Sequence, residues 1–214
     1  MKYDLLIFDL DGTLVDSQKD LAAAVNLVRK DYALPPLSLD TIRSYVGNGL
    51  KVLIEKAAPE LKNEEIDKAL EKLEVYYEQH LTDETKPYEG VCEMLEAFKN
   101  NKKAILTNKP EKFTKQIIKH FGWDDKFIEI FGGDSIEGVK KPNPKIMFEL
   151  LKRAKTEPQK AIMIGDGIND VKIAKEAKTA SLAVLYGFTD IETLKNLSAD
   201  FTAEKPIDIV NILS

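Results

Sequence analysis

Two carboxylates two residues apart, Asp9 and Asp11, directly follow the apolar run from Tyr3 to Phe8, in the segment Asp9-Leu10-Asp11-Gly12-Thr13-Leu14-Val15. A run of that kind reads as a strand buried on both faces, and open parallel sheets collect their chemistry at the carboxyl ends of such strands. Like charges placed there repel, by about 1 kcal/mol at ~4 Å in bulk water and by several times that at lower effective dielectric. A bound divalent cation would offset the repulsion. Mg²⁺ is the candidate, because it prefers hard oxygen ligands and joins one or two carboxylates to a phosphate.

Three further polar clusters fall at or between predicted strand ends. Thr107-Asn108-Lys109 ends the strand predicted over 103–106, and Gly165-Asp166-Gly167-Ile168-Asn169-Asp170 ends the one over 161–164. Between them lies Val139-Lys140-Lys141-Pro142-Asn143-Pro144, in which Asn143 suits a helix N-cap and Pro144 the first helical turn. Singly, each has a plain explanation: a turn, a solvated lysine pair, a strand-to-helix loop. Together they point to one site, since a right-handed parallel sheet gathers successive strand ends on one edge.

The elements that must position these residues follow from hydrophobic periodicity. From Pro87 onward helices and strands alternate. Helices are predicted over 91–99, 111–121, 144–154 and 168–177, and strands over 103–106, 127–131, 161–164 and 181–185, with a short strand-helix unit at the end. That alternation predicts an α/β fold, a parallel-sheet Rossmann-like core covered by helices. Residues 16–81 have no comparable strand. Leu21, Val25, Val28 and Tyr32 form one helical stripe, and Pro35-Pro36 breaks it. Short helices over 42–46 and 50–58 flank Gly47-Asn48-Gly49, and Asn63 is placed to cap a longer helix with Ile66, Leu70, Leu73, Tyr77 and Leu81 on one face. The chain thus divides into an α/β core, 1–15 with 82–214, and an inserted all-helical block, 16–81.

Composition narrows the function. With 214 residues, 43% of them hydrophobic, the chain can bury a substantial core. The net charge of −5, without a basic block, speaks against a nucleic-acid partner. No apolar stretch approaches the roughly 20 residues of a membrane span, and the opening Met-Lys-Tyr-Asp-Leu has no signal-peptide layout. The single cysteine, Cys92, cannot form an internal disulfide. The expected location is cytoplasmic, the expected partner a small molecule, and nothing calls for more than a monomer. His80 and His120, the only histidines, sit at polar ends of helical patterns, which argues against histidine-based hydrolysis.

The four clusters resemble the motifs of the haloacid dehalogenase superfamily of aspartate-nucleophile phosphatases, over essentially the whole chain. Asp9-x-Asp11-Gly12-Thr13 is highly specific, and Thr107-Asn108, Lys141-Pro142-x-Pro144 and Gly165-Asp166-x-x-x-Asp170 complete the set. The helical insertion resembles the small cap of one branch, in which Tyr45-Val46-Gly47-Asn48-Gly49-Leu50 is similar to the cap segment of phosphoglycolate phosphatases. The resemblance implies Asp9 as the nucleophile that forms an aspartyl-phosphate. It implies Asp11 as the acid that protonates the leaving alkoxide and then activates water. For that, Asp11 must carry a proton when substrate binds, which neighbouring negative charge would favour. Mg²⁺ would be held by the carboxylates of Asp9 and Asp166 and the main-chain carbonyl of Asp11, with Asp170 either a further ligand or a holder of the others. Thr107 and the Asn108 N–H would bind phosphate. Lys141 would counter its charge, being the lysine that precedes proline, although Lys140 could also reach inward.

The resemblance makes the substrate a small phosphate ester selected by the cap, since the core meets only a phosphoryl group. Gly47 and Gly49 would allow close backbone approach around Asn48, and Arg43 and Lys51 flank that turn as possible partners for a substrate carboxylate. 2-Phosphoglycolate is the expected substrate, with a broad sugar-phosphatase or a pyrophosphatase as alternatives. A beta-phosphoglucomutase is disfavoured, because such mutases carry a histidine early in the first cap helix, where this chain has Gln18-Lys19-Asp20-Leu21, and tend to have arginine at Asn48. A non-enzymatic phospho-receiver is disfavoured too, since its acceptor lies at a mid-chain strand and it has no helical insertion.

Overall fold

The computed structural model describes residues 2–214, in two compact units. One comprises the N-terminal stretch through Asp16 together with Pro87–Ser214; the other is Ser17–Lys86. The first unit holds a six-stranded parallel sheet made of β1 (Leu5–Phe8), β2 (Lys102–Leu106), β3 (Glu129–Phe131), β4 (Ala161–Gly165), β5 (Ala180–Val184) and β6 (Phe201–Ala203). Their order is β3-β2-β1-β4-β5-β6, so β1 is central.

All four residues of β1 are fully buried, as expected for a strand covered on both faces. Leu5 and Ile7 join Ala104, Leu106, Phe131, Ala161 and Met163 in a core cluster with residues of the helices Pro144–Ala154 and Ile168–Ala177. Leu6 and Phe8 turn to the opposite face, where Phe8 meets Phe127 edge-on at 6.5 Å.

Several boundaries differ from the periodicity for identifiable reasons. The first short helix of the helical unit runs Leu39–Arg43, because the Ser38 hydroxyl caps it by accepting from Thr41 N. The longer helix begins at Asn63, not after it, with the Lys62 N–H donating to the Glu65 carboxylate at 3.0 Å. The apolar stretch 127–131 pairs as a strand only over Glu129–Phe131. In the helical unit, the helix Gln18–Asp31 buries Leu21, Val25 and Val28 and packs on Asn63–Gln79. Residues past Leu81 stay with this unit because the buried Asp20 carboxylate accepts from Glu84 N (3.0 Å), Thr85 N (2.8 Å) and the Thr85 hydroxyl (2.7 Å).

Candidate active site

Register brings the clusters together. Phe8 pairs with Ile105 on one side and Ile164 on the other, so the three central strands end almost level and Asp9, Thr107 and Asp166 emerge on one edge. The Asp9 N–H still donates to Ile164 O at 2.9 Å, which extends the ladder to the nucleophile candidate itself.

Asp9, Asp166 and Asp170 each offer an oxygen within 4.8 Å of the others. Lys141 lies among them, its ammonium 2.9 Å from Asp9 Oδ2 and 2.6 Å from Asp170 Oδ1. With all three carboxylates ionised against one ammonium, the cluster would carry a formal charge of −2. Burial, and then the charge on Asp9, push the Asp166 carboxyl up to about 7. Burial also draws Asp170 upward, with Lys141 pulling against it. Burial alone would lower the Lys141 ammonium, yet Asp170 and Asp9 more than offset it and hold it above the ordinary lysine range. An all-oxygen, acidic and confined donor set fits a hard divalent cation such as Mg²⁺.

Asp166 is held on every side. Its Oδ1 accepts from the Thr13 hydroxyl (3.0 Å) and its Oδ2 from Phe188 N (2.8 Å), while its own N–H donates to Thr13 Oγ1 (3.1 Å). A Cβ at Gly12 would stand 2.2 Å from Asp166 Oδ2, and one at Gly187 would stand 2.2 Å from Asp166 Cβ. The Tyr186 hydroxyl closes the ring by donating to Thr13 O at 3.0 Å. Asp170 Oδ2 accepts from Gly167 N at 2.9 Å, so its two oxygens serve the loop and the lysine.

The other expected residues need more correction. Lys141 is buried in the cluster, whereas Lys140 is half-buried. The Asn108 N–H is the group expected at phosphate, and its side chain has a separate use: the amide donates to Lys141 O (3.0 Å) and the carbonyl accepts from Lys141 N (2.9 Å), pinning the lysine loop to the end of β2. Thr107 is buried, and its hydroxyl oxygen accepts from Lys109 N at 3.3 Å, which leaves the hydroxyl proton to donate. Asp11 was expected beside negative charge. The structure puts an ammonium there instead, with Lys109 Nζ 2.8 and 2.9 Å from the two Asp11 oxygens.

Gly47, Asn48 and Gly49 form the turn before the helix Leu50–Ala57, and the first and last take left-handed backbone angles. Arg43 and Lys51 pair within the helical unit with Asp40 (3.2 Å) and Asp67 (3.0 Å), as surface cations usually do. Sequence reasoning missed roles for Thr13, Lys109 and the Tyr186-Gly187-Phe188 loop. Each follows the carboxyl end of a core strand, but that position alone does not say which side chain or main-chain group turns inward.

A core that gathers acids, a threonine and a lysine on the carboxyl edge of a parallel sheet, with a helical insertion after its first strand, defines a class. The haloacid dehalogenase-like hydrolase family profile matches residues 6–184, and the chain belongs to that family. It is similar to a phosphoglycolate phosphatase of Psychrobacter arcticus, 38% identical over 95% of this chain and 94% of that protein. It is also similar to one of Aquifex aeolicus, 34% identical over 98% and 96%. A crystal structure from Haemophilus somnus, described as a predicted phosphoglycolate phosphatase, superposes with a TM-score of 0.94 at 31% identity, covering 100% of this chain and 99% of that one. Within the family, the chain is a phosphoric monoester hydrolase. Among the described residues, no helix is long and apolar enough to cross a membrane.

Proposed function

We propose that the chain is a Mg²⁺-dependent phosphatase that converts 2-phosphoglycolate to glycolate and phosphate through an aspartyl-phosphate on Asp9. The observation that carries this reading is the Asp9 carboxylate itself. It stands at the end of the central strand, one oxygen accepting from Leu10 N at 2.7 Å and the other facing Lys141 at 2.9 Å, with Asp166 and Asp170 alongside. A carboxylate needs no deprotonation near neutral pH, and the acyl phosphate it forms is open to hydrolysis.

In the first step an Asp9 oxygen bonds to phosphorus as the bond from phosphorus to the ester oxygen breaks, and Asp11, which must take up a proton against the pull of the adjacent Lys109 ammonium as the phosphate anion arrives, gives that proton to the departing alkoxide. In the second, water attacks the phosphorus and passes a proton to Asp11. The bond from phosphorus to Asp9 then breaks, which restores the Asp9 carboxylate and frees phosphate. Lys141 counters the charge of Asp9 and of the phosphoryl oxygens, so that two anions can approach. The Thr107 hydroxyl and the Asn108 N–H donate to phosphoryl oxygens. Asp9, Asp166, the Asp11 carbonyl and Asp170 would hold Mg²⁺, which supplies further positive charge against the phosphoryl group. The substrate choice is supported by the names of the relatives and by the Tyr45–Leu50 segment. A cytoplasmic monomer fits the single cysteine and the acidic composition.

The test is phosphate release with Mg²⁺ from 2-phosphoglycolate, beta-glucose 1-phosphate, other sugar phosphates and pyrophosphate, with Asp9→Asn as control. Strong preference for 2-phosphoglycolate that vanishes in the control is expected. A flat profile would make the chain a generalist, and inactivity on all would remove the reading.

A further inference from the structure

The site has two buried ammonium groups, and the phosphoryl chemistry uses only one. Lys141 meets Asp9 and the phosphoryl group. The Lys109 side chain, 2% exposed, faces Asp11 instead, with Nζ 2.8 and 2.9 Å from its two oxygens. Its stem is fixed at both main-chain groups, the N–H by Thr107 Oγ1 at 3.3 Å and the carbonyl by Gly133 N at 2.9 Å. Gly132 closes against the same loop: a Cβ there would lie 2.8 Å from Lys109 O.

We propose that Lys109 determines specificity by receiving a carboxylate carried on the leaving group, so that the preferred substrates are phosphate esters of 2-hydroxy acids. This rests on the reading of Asp11 as the group that meets the ester oxygen. The Lys109 ammonium lies one hydrogen bond beyond Asp11. In a 2-hydroxy acid ester the carboxylate is one carbon from the ester oxygen. Ester oxygen, Asp11, ammonium and substrate carboxylate then close a ring of contacts of about 2.7–3.2 Å each. A leaving group with a more distant carboxylate would have to fold back to close that ring, at a cost in conformational entropy. The desolvation of the ammonium is already met in folding, so a charge-assisted bond to an arriving carboxylate is strong. The cations expected to do this from sequence, Arg43 and Lys51, have side chains 41% and 56% exposed, so neither is desolvated in folding as Lys109 is. Selection would therefore begin in the core.

The experiment compares kcat/KM for 2-phosphoglycolate and for 2-hydroxyethyl phosphate, of equal length but with a neutral terminus, in the native chain and in Lys109→Met, Lys109→Gln and Lys109→Arg. Because both esters are read on one preparation, any misfolded fraction cancels in the ratio. The native chain should prefer the carboxylate ester by at least about a hundredfold. Methionine or glutamine should cut that preference by at least about thirtyfold, and arginine should restore part of it. An equal loss on both esters overturns the inference, since the lysine would then act only by positioning Asp11. So does an absence of preference in the native chain, while the phosphatase reading stands. No turnover of either ester by the native chain overturns both.

Discussion

The acid-bearing edge of the sheet and the Gly47–Gly49 turn of the helical unit use the same small residue for opposite reasons. At the edge, glycine makes room: a Cβ at Gly187 would run into Asp166 and would stand 2.4 Å from Gly12 O. In the turn, a Cβ on Gly47 would meet nothing within 4 Å, and what requires glycine is a φ of +112°. The first arrangement is set by what surrounds a buried carboxylate, the second by the path of the chain. A glycine-rich loop therefore says little about function until its neighbours are known.

Replacing residues in each region puts that contrast at risk. The largest effect is expected for Asp9→Asn, which should lower phosphate release by at least about a thousandfold without lowering thermal stability. Retained turnover would show that the acid edge is not where the chemistry occurs. Lys141→Met should cost about a hundredfold or more in kcat. It leaves Asp9 and Asp170 facing one another without their shared ammonium, so Mg²⁺ should raise its melting temperature more than it raises that of the native chain. Gly187→Ala should weaken Mg²⁺ binding by about 10–100-fold in calorimetric titration, because Asp166 must give way. Unchanged affinity would mean that Asp166 does not hold the ion. Smallest of all, Gly47→Ala should leave Mg²⁺ affinity as it is and lower the melting temperature by about 2–4 °C, as about 1 kcal/mol of backbone strain would.

The sheet, the order of its helices and the four strand-end clusters were legible because each rests on a local signal: an apolar run, a helical period, a polar group where a run stops. The helix Pro144–Ala154 with its Asn143 cap, and the helix Ile168–Ala177, lie where the pattern put them. What was hidden depends on contacts between distant segments. Nothing local distinguishes Lys109, buried against Asp11, from Lys140 on the half-exposed loop. The Asn108 side chain could not be assigned to Lys141 from a spacing of 33 residues. Phe188 reaches Asp166 through its main-chain N–H, a group every residue except proline has, so the side chain gave no clue.

Asp20 carries an implication of another kind. By gripping Glu84 and Thr85 from the first turn of the helix Gln18–Asp31, it ties the segment entering the insertion to the segment leaving it. A stretch of chain closed on itself in this way can be lengthened, shortened or exchanged for another without rethreading the sheet. The molecule thus has a graft point, where one helical insertion could be replaced by another on an unaltered sheet.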